Sequence, residues 1–166
     1  YQTYMAVGNT NAAIAVIDKW MASPSPDLQT LLIGVQAYER QNQLAKKQLL
    51  LQRVLPTAVA TLQKTNASVP ELQMTAQAFN MTGQMPFLEQ TMARLTKLLP
   101  TSPETWYDLS GIQVVQKKTN EALASLIRAV QLSDQRRATN PAAADLRGMA
   151  KGDGRFNLVR TMPGYV

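Results

Sequence analysis

Positions with the same structural role recur 34 residues apart in this chain of 166. Tyr4 and Tyr38 keep that spacing, as do Gly8 and Asn42, Leu72 and Trp106, Thr82 and Gln116, Leu88 and Ala122, Met92 and Leu126, and Leu95 and Ala129. Each period holds two stretches with apolar residues at helical spacing, punctuated by Pro, Gly and Asn. A lone helical hairpin cannot bury its apolar faces, but copies at a fixed period stack and share a core. The period therefore points to an all-α fold of stacked antiparallel helical hairpins.

Local signals place the elements. Residues 1–7 read as the end of a helix, and Gly8, Asn9 and Thr10 as a turn. Asn11 reads as the cap of a helix over 12–22, with Ala13, Ile14, Ile17 and Trp20 on its apolar stripe. Asp27 caps a helix over 28–40. Residues 43–55 and 57–64 both read as helical around Pro56, so one long kinked helix and a helix followed by a short one both fit. Pro70 opens a helix to about 82, and Gly83 and Gln84 turn the chain. A helix over 86–99 follows, then one over 103–116 capped by Thr101 or Ser102. Asn120 reads as the cap of a helix over 121–135. Beyond Asn140 and Pro141 come a short helix over 142–149 and a last turn over 155–161.

At this point the chain resembles the tetratricopeptide repeat. In unit 103–136, Trp106, Leu109 and Ser110 match the large–Leu–small pattern of the family's first helix, and Ala122, Leu126 and Ala129 match that of its second. Asp134 stands where the family has a closing proline. Unit 69–102 matches through Leu72, Ala76, Phe79, Gly83, Leu88, Met92 and Pro100. Unit 28–68 matches through Leu31, Gly34, Val35, Tyr38, Leu51 and Val54, although Lys47 replaces an expected small residue. A partial repeat over 1–27 carries Tyr4, Gly8, Ala13, Ile17 and Trp20, and 137–166 is a basic C-terminal capping segment. The resemblance implies a right-handed solenoid over 1–136. About seven residues beyond the period sit between units 28–68 and 69–102, near two helical turns, and are expected to lengthen a helix.

Composition removes most chemistry. His and Cys are absent, which excludes imidazole bases, thiol nucleophiles, Cys/His zinc sites and Ser-His-Asp triads. Glu104 and Asp108 share a helix face at i, i+4, where two carboxylates would perturb each other, but a solvated helix start explains them. The run Lys151, Gly152, Asp153, Gly154, Arg155 loosely resembles an anion or calcium loop, yet it has neither the P-loop spacing nor the oxygen-ligand series. A tight turn is the expectation. Asn66-Ala67-Ser68 and Asn80-Met81-Thr82 match the glycosylation triplet, which needs a compartment to mean anything. Trp20 and Trp106 are expected in the core. No enzyme, cofactor, metal or small-molecule substrate is expected.

Members of the resembled family bind partners through a concave surface lined by first helices. Carried over residue by residue, that surface comprises Gln29, Leu32, Ile33 and Gln36, then Gln73, Met74, Gln77, Asn80 and Met81, then Tyr107, Asp108, Gly111, Val114 and Val115. The basic residues with which chaperone-binding members clamp a terminal carboxylate are missing. The expected function is a non-catalytic protein–protein interaction scaffold, part of a larger protein, holding a peptide or helix of a partner by amide hydrogen bonds and apolar pockets. An exposed edge around Tyr4, Ile14 and Ile17 would promote self-association. The net charge of +6 is concentrated at 40–64 and 137–160, so a nucleic-acid or anionic-membrane-surface module is the alternative, with nucleic acid not the expected partner. Zero cysteines fit either redox compartment, and high Gln and Thr content tilts toward an exported, periplasmic or other extracytoplasmic bacterial context.

Overall fold

A computed structural model describes residues 10–165, with the side chains of all but Thr10, Asn11 and Ala13. The helix end read over 1–7, the turn at Gly8 and Asn9, and the repeat positions Tyr4 and Gly8 lie outside these residues. The described chain is all-α and helical-repeat-like, with nine α-helices and no strand. It divides into two compact units, Tyr1–Gly83 and Gln84–Val166. The division falls at the Gly83 turn, inside the stretch read as unit 69–102.

The first unit holds α1 (Thr10–Met21), α2 (Leu28–Arg40), α3 (Leu44–Gln63) and α4 (Val69–Met81). Asp27 caps α2 by accepting from the Thr30 N–H at 2.7 Å. Ser68 and Glu71 form a reciprocal capping box at the start of α4. The helix α2 packs against α1, α3 and α4, and α3 also packs against α4. Ile17, Leu31, Val35, Val54, Leu72 and Phe79 are its most deeply buried large side chains. Residues 43–64 resolve into one continuous helix, with Pro56 inside it. Ile14 and Ile17 are buried, so they do not present the apolar edge expected of them. Asn11 falls inside α1 and is not its cap.

The second unit holds α5 (Met85–Leu98), α6 (Pro103–Val115), α7 (Thr119–Thr139), α8 (Leu146–Gly152), a 3-10 turn over Gly154–Phe156, and α9 (Asn157–Arg160). Ser102, not Thr101, caps α6. The helix α6 packs against α5 and α7, and α8, the 3-10 turn and α9 close onto the α6–α7 pair. Leu146, Ala150, Phe156 and Val159 from the C-terminal segment join Tyr107, Ala122, Leu126, Ala129 and Val130 in one core. Ser133 on α7 fastens this segment, donating to the Ala144 carbonyl at 2.8 Å and accepting from the Leu146 N–H at 3.2 Å. The short helix starts four residues later than the reading of 142–149, because Asp145 caps it through the Gly148 N–H.

The turns preserve the sequence period at the level of the backbone. Asn42, Gly83 and Lys117 are the described positions with positive φ inside helix–helix turns, at 52°, 69° and 62°. The N-caps Asp27, Ser68 and Ser102 fall on the same pair of intervals, 41 then 34 residues. After Asn42 and Lys117 the next N–H closes back on the preceding helix, Gln43 to Tyr38 O at 2.8 Å and Lys118 to Gln113 O at 2.9 Å. This closure sets the start of α7 at Thr119, so Asn120 lies in the first turn and is not the cap. The longer interval has a simple origin. The helix α3 has 20 residues where α5 has 14, and the loop after it, 64–68, is one residue longer than 99–102.

Candidate interaction surface

On α4, Gln73, Gln77 and Asn80 stand at i, i+4 and i+7 and are exposed, with Met74 and Met81 half-buried beside them. On α2, Gln29, Ile33 and Gln36 repeat that spacing, the two amides exposed and Ile33 half-buried. Leu32 is buried and contributes to the core instead. Among the described residues, none of these five amide side chains has a hydrogen-bond partner. Each stripe thus presents solvent-exposed donors and acceptors next to partly covered apolar groups.

Two cavities open on the first unit. One of about 630 Å³ lies between the end of α1 and the start of α2, lined by Lys19, Trp20, Pro26, Asp27, Gln29 and Ile33 among others. Trp20 is 40% exposed and forms one wall, which corrects its expected place in the core. The other, about 550 Å³, lies against α3 and involves Pro24, Arg53 and Pro56.

In the second unit the chain itself covers part of the carried-over surface. Tyr107 is 5% exposed and meets the ring of Phe156 edge to face, with centroids 5.4 Å apart. Its hydroxyl donates to Asp153 at 3.1 Å, and burial and Asp153 push its phenol up to about 12. The Arg155 guanidinium lies over both rings and occupies the space a side chain at Gly111 would need. Tyr107 and Gly111 are therefore not available to a partner, because the 153–156 turn lies over them. Asp108 keeps an exposed face and Val114 is half-buried. Burial raises the Asp108 carboxyl, Arg155 opposes that, and Glu104 adds a smaller upward push. Trp106 is half-buried as part of the packing, its indole N–H donating to the Pro100 carbonyl at 3.2 Å.

Six of the ten cations in the expected basic clusters are ion-paired. Lys46 pairs with Asp18, Lys47 with Glu39 and Lys64 with Glu71. Arg137, Arg147 and Arg155 pair with Asp145, Asp134 and Asp153. Arg53 donates to the Met21 and Ser23 carbonyls, and Arg160 to those of Ala150 and Asp153. The run around Gly152 proves to be a helix end and turn held by the Asp153–Arg155 pair. Among the described residues no group of three or more Asp or Glu is placed to hold a metal ion, and no helix is long and apolar enough to cross a membrane.

Hydrogen bonds from Arg155 hold the Asp153 carboxyl at about 2, well below its ordinary value. A carboxylate depressed in the fold stabilises it above the unfolded pKa near 4, and that contribution is lost as pH falls toward 2. The melting temperature is accordingly expected to stay level from pH 7 to about 5 and to fall between pH 4 and 2. In Asp153→Asn, stability at pH 7 should drop by roughly 1 kcal/mol or less, since the pair is solvent-facing, and the acid slope should be shallower. A variant curve parallel to wild type through that window would show that Asp153 does not carry the titration.

Compared with known proteins, the chain matches no protein-family model and no curated protein.

Proposed function

We propose that this chain is a non-catalytic protein-interaction module built from tetratricopeptide-like hairpins, and that the α2 and α4 stripes together receive an extended peptide or a helix from a partner protein. The observation that carries the reading is the run of unpartnered amides, Gln29 and Gln36 on α2 and Gln73, Gln77 and Asn80 on α4, each flanked by half-buried apolar side chains. Neutral amides can both donate to and accept from a peptide backbone, which suits recognition through main-chain hydrogen bonds. The repeated turn geometry at Asn42, Gly83 and Lys117 supports the repeat assignment. The ion-pairing of six of the ten cations in the two basic clusters favours this reading over binding to nucleic acid or an anionic membrane surface, which draws on free positive charge.

The test is affinity capture from cell extract by the intact chain and by Gln36→Ala/Gln73→Ala/Gln77→Ala, with melting curves to show that the fold is unchanged. A partner held through these amides should bind the triple variant at least about tenfold more weakly, each interfacial hydrogen bond contributing roughly 0.5–1.5 kcal/mol. Equal capture by both chains would remove the α2 and α4 stripes from the interface.

A further inference from the structure

We propose that Asp153 is a site of spontaneous covalent modification, an aspartate that isomerises to isoaspartate through the Gly154 nitrogen once the turn over Gly154–Phe156 lifts from α6, and that Arg155 protects it while the turn is seated. The inference concerns the chain's own chemistry and does not rest on the interaction role above.

Asp153 is the one aspartate or asparagine in the sequence that glycine follows. In such a pair the glycine nitrogen attacks the aspartate Cγ. A C–N bond forms, the carboxyl OH leaves as water with the amide proton, and a five-membered succinimide results. Water then opens the ring, and opening at the former backbone carbonyl leaves the main chain running through the side-chain carboxyl carbon. Glycine allows the approach because it has no side chain to crowd it. Gly154 is exposed, with nothing within 4 Å of where a Cβ would stand. The aspartate must react as the neutral acid, because an ionised carboxylate has no OH to lose.

The seated turn withholds each requirement. Asp153 Oδ1 accepts from the Arg155 backbone N–H at 3.0 Å and its Nε at 3.1 Å, and Oδ2 accepts from Arg155 Nη2 at 2.6 Å and the Tyr107 hydroxyl at 3.1 Å. Whichever oxygen leaves, a neighbour is holding it. The same bonds favour the carboxylate, and with the carboxyl at about 2 its protonated fraction at pH 5 lies more than about tenfold below that of an ordinary aspartate. The Asp153 carbonyl accepts from the Phe156 N–H at 3.1 Å and from the Arg160 guanidinium at 2.5 Å, which fixes the peptide plane whose nitrogen must turn toward Cγ. Arg155 is itself seated, its guanidinium over the Tyr107 and Phe156 rings and in the space beside Gly111. Lifting the turn releases these restraints together. Isomerisation then makes the release lasting, since it adds a methylene to the main chain and takes the carboxylate off the arm that reaches Arg155.

The test follows isoaspartate at position 153, by tryptic mapping with electron-transfer fragmentation, in the intact chain and in a free peptide of residues 149–160. Both are held at about pH 5, below the melting transition of the chain. The free peptide should isomerise, and the intact chain should do so at least about tenfold more slowly. Arg155→Gln should speed the reaction in the intact chain by about threefold or more, with melting curves showing that it is still folded. Tyr107→Phe, which keeps the ring and removes only the hydroxyl, should give a smaller rise. Gly154→Ala, placed in the free peptide, should suppress the reaction. Equal rates in the intact chain and the peptide, or no rise in either Arg155→Gln or Tyr107→Phe, would overturn the protection. A free peptide that does not isomerise would overturn the site.

Discussion

Phe156→Ala should destabilise the second unit by about 3–5 kcal/mol, the range for deleting a fully buried aromatic side chain. Phe156 has no exposed surface, although it comes from a three-residue 3-10 turn near the end of the chain. It fills the space between Tyr107 on α6 and the helices α8 and α9, and Arg155 stacks over its face. Truncation removes the ring, leaves a cavity that this short turn can close only in part, and exposes Tyr107. A domain of this length has roughly 5–15 kcal/mol of stability in total, so the loss is a large share of it. At about 4–8 °C per kcal/mol, the melting transition of the second unit should fall by more than 10 °C. Leu158→Ala, two positions on at 68% exposure, should change it by less than about 0.5 kcal/mol. If the two variants melted alike, the C-terminal segment would not be part of the core.

That segment also shows where sequence reading reached its limit. The helices from α2 to α6 were legible to within two residues at each end, apart from the alternatives left at Pro56, because their signals are local. Apolar stripes, Asp27 and Ser102 as caps, Pro70 and Pro103 in first turns, and Gly83 in a left-handed turn each act over four or five residues. The capping box at Ser68 and Glu71 was equally local, and the run Ser-Val-Pro-Glu carried it unread. Asn120 misled because Asn is a good cap, whereas the turn was set by Lys117, a residue type with no preference for positive φ. Comparison with Gly83, 34 residues earlier, carries the signal that locates that turn.

The candidate surface was legible only in part. The resemblance to the repeat family put Gln29, Gln36, Gln73, Gln77 and Asn80 on one carried-over surface, and the structure leaves all five exposed. The same resemblance put Tyr107 there too, and the structure buries it. What covers it is Phe156, 49 positions later and outside the period, so no reading of the repeat finds it. Trp20 is the converse case. Its place on the apolar stripe of α1 predicts burial, yet no neighbouring side chain closes over it, and one wall of a cavity results.

Pro56→Ala should stabilise the first unit by about 1–2 kcal/mol. The residue stands 13th in a 20-residue helix, far from the first turn where proline is tolerated. It supplies no N–H to the Gln52 carbonyl, and its ring crowds that carbonyl, a combination that costs roughly 3 kcal/mol relative to Ala in a helix interior. Part of that is returned because Pro restricts the unfolded chain, by about 1 kcal/mol or less. Local repair is visible next door, where the Thr57 hydroxyl donates to the Arg53 carbonyl at 2.9 Å and Thr61 to Thr57 at 3.0 Å. Neither bond reaches Gln52. Alanine at 56 restores the missing donor without touching the buried side of the helix, since Leu50, Val54, Ala58 and Leu62 carry the packing and Pro56 is exposed. The variant should therefore melt several degrees higher in the first-unit transition, with that of the second unit unchanged. An unchanged or lower first-unit transition would mean that α3 has relaxed around the ring and that its extra length depends on the proline.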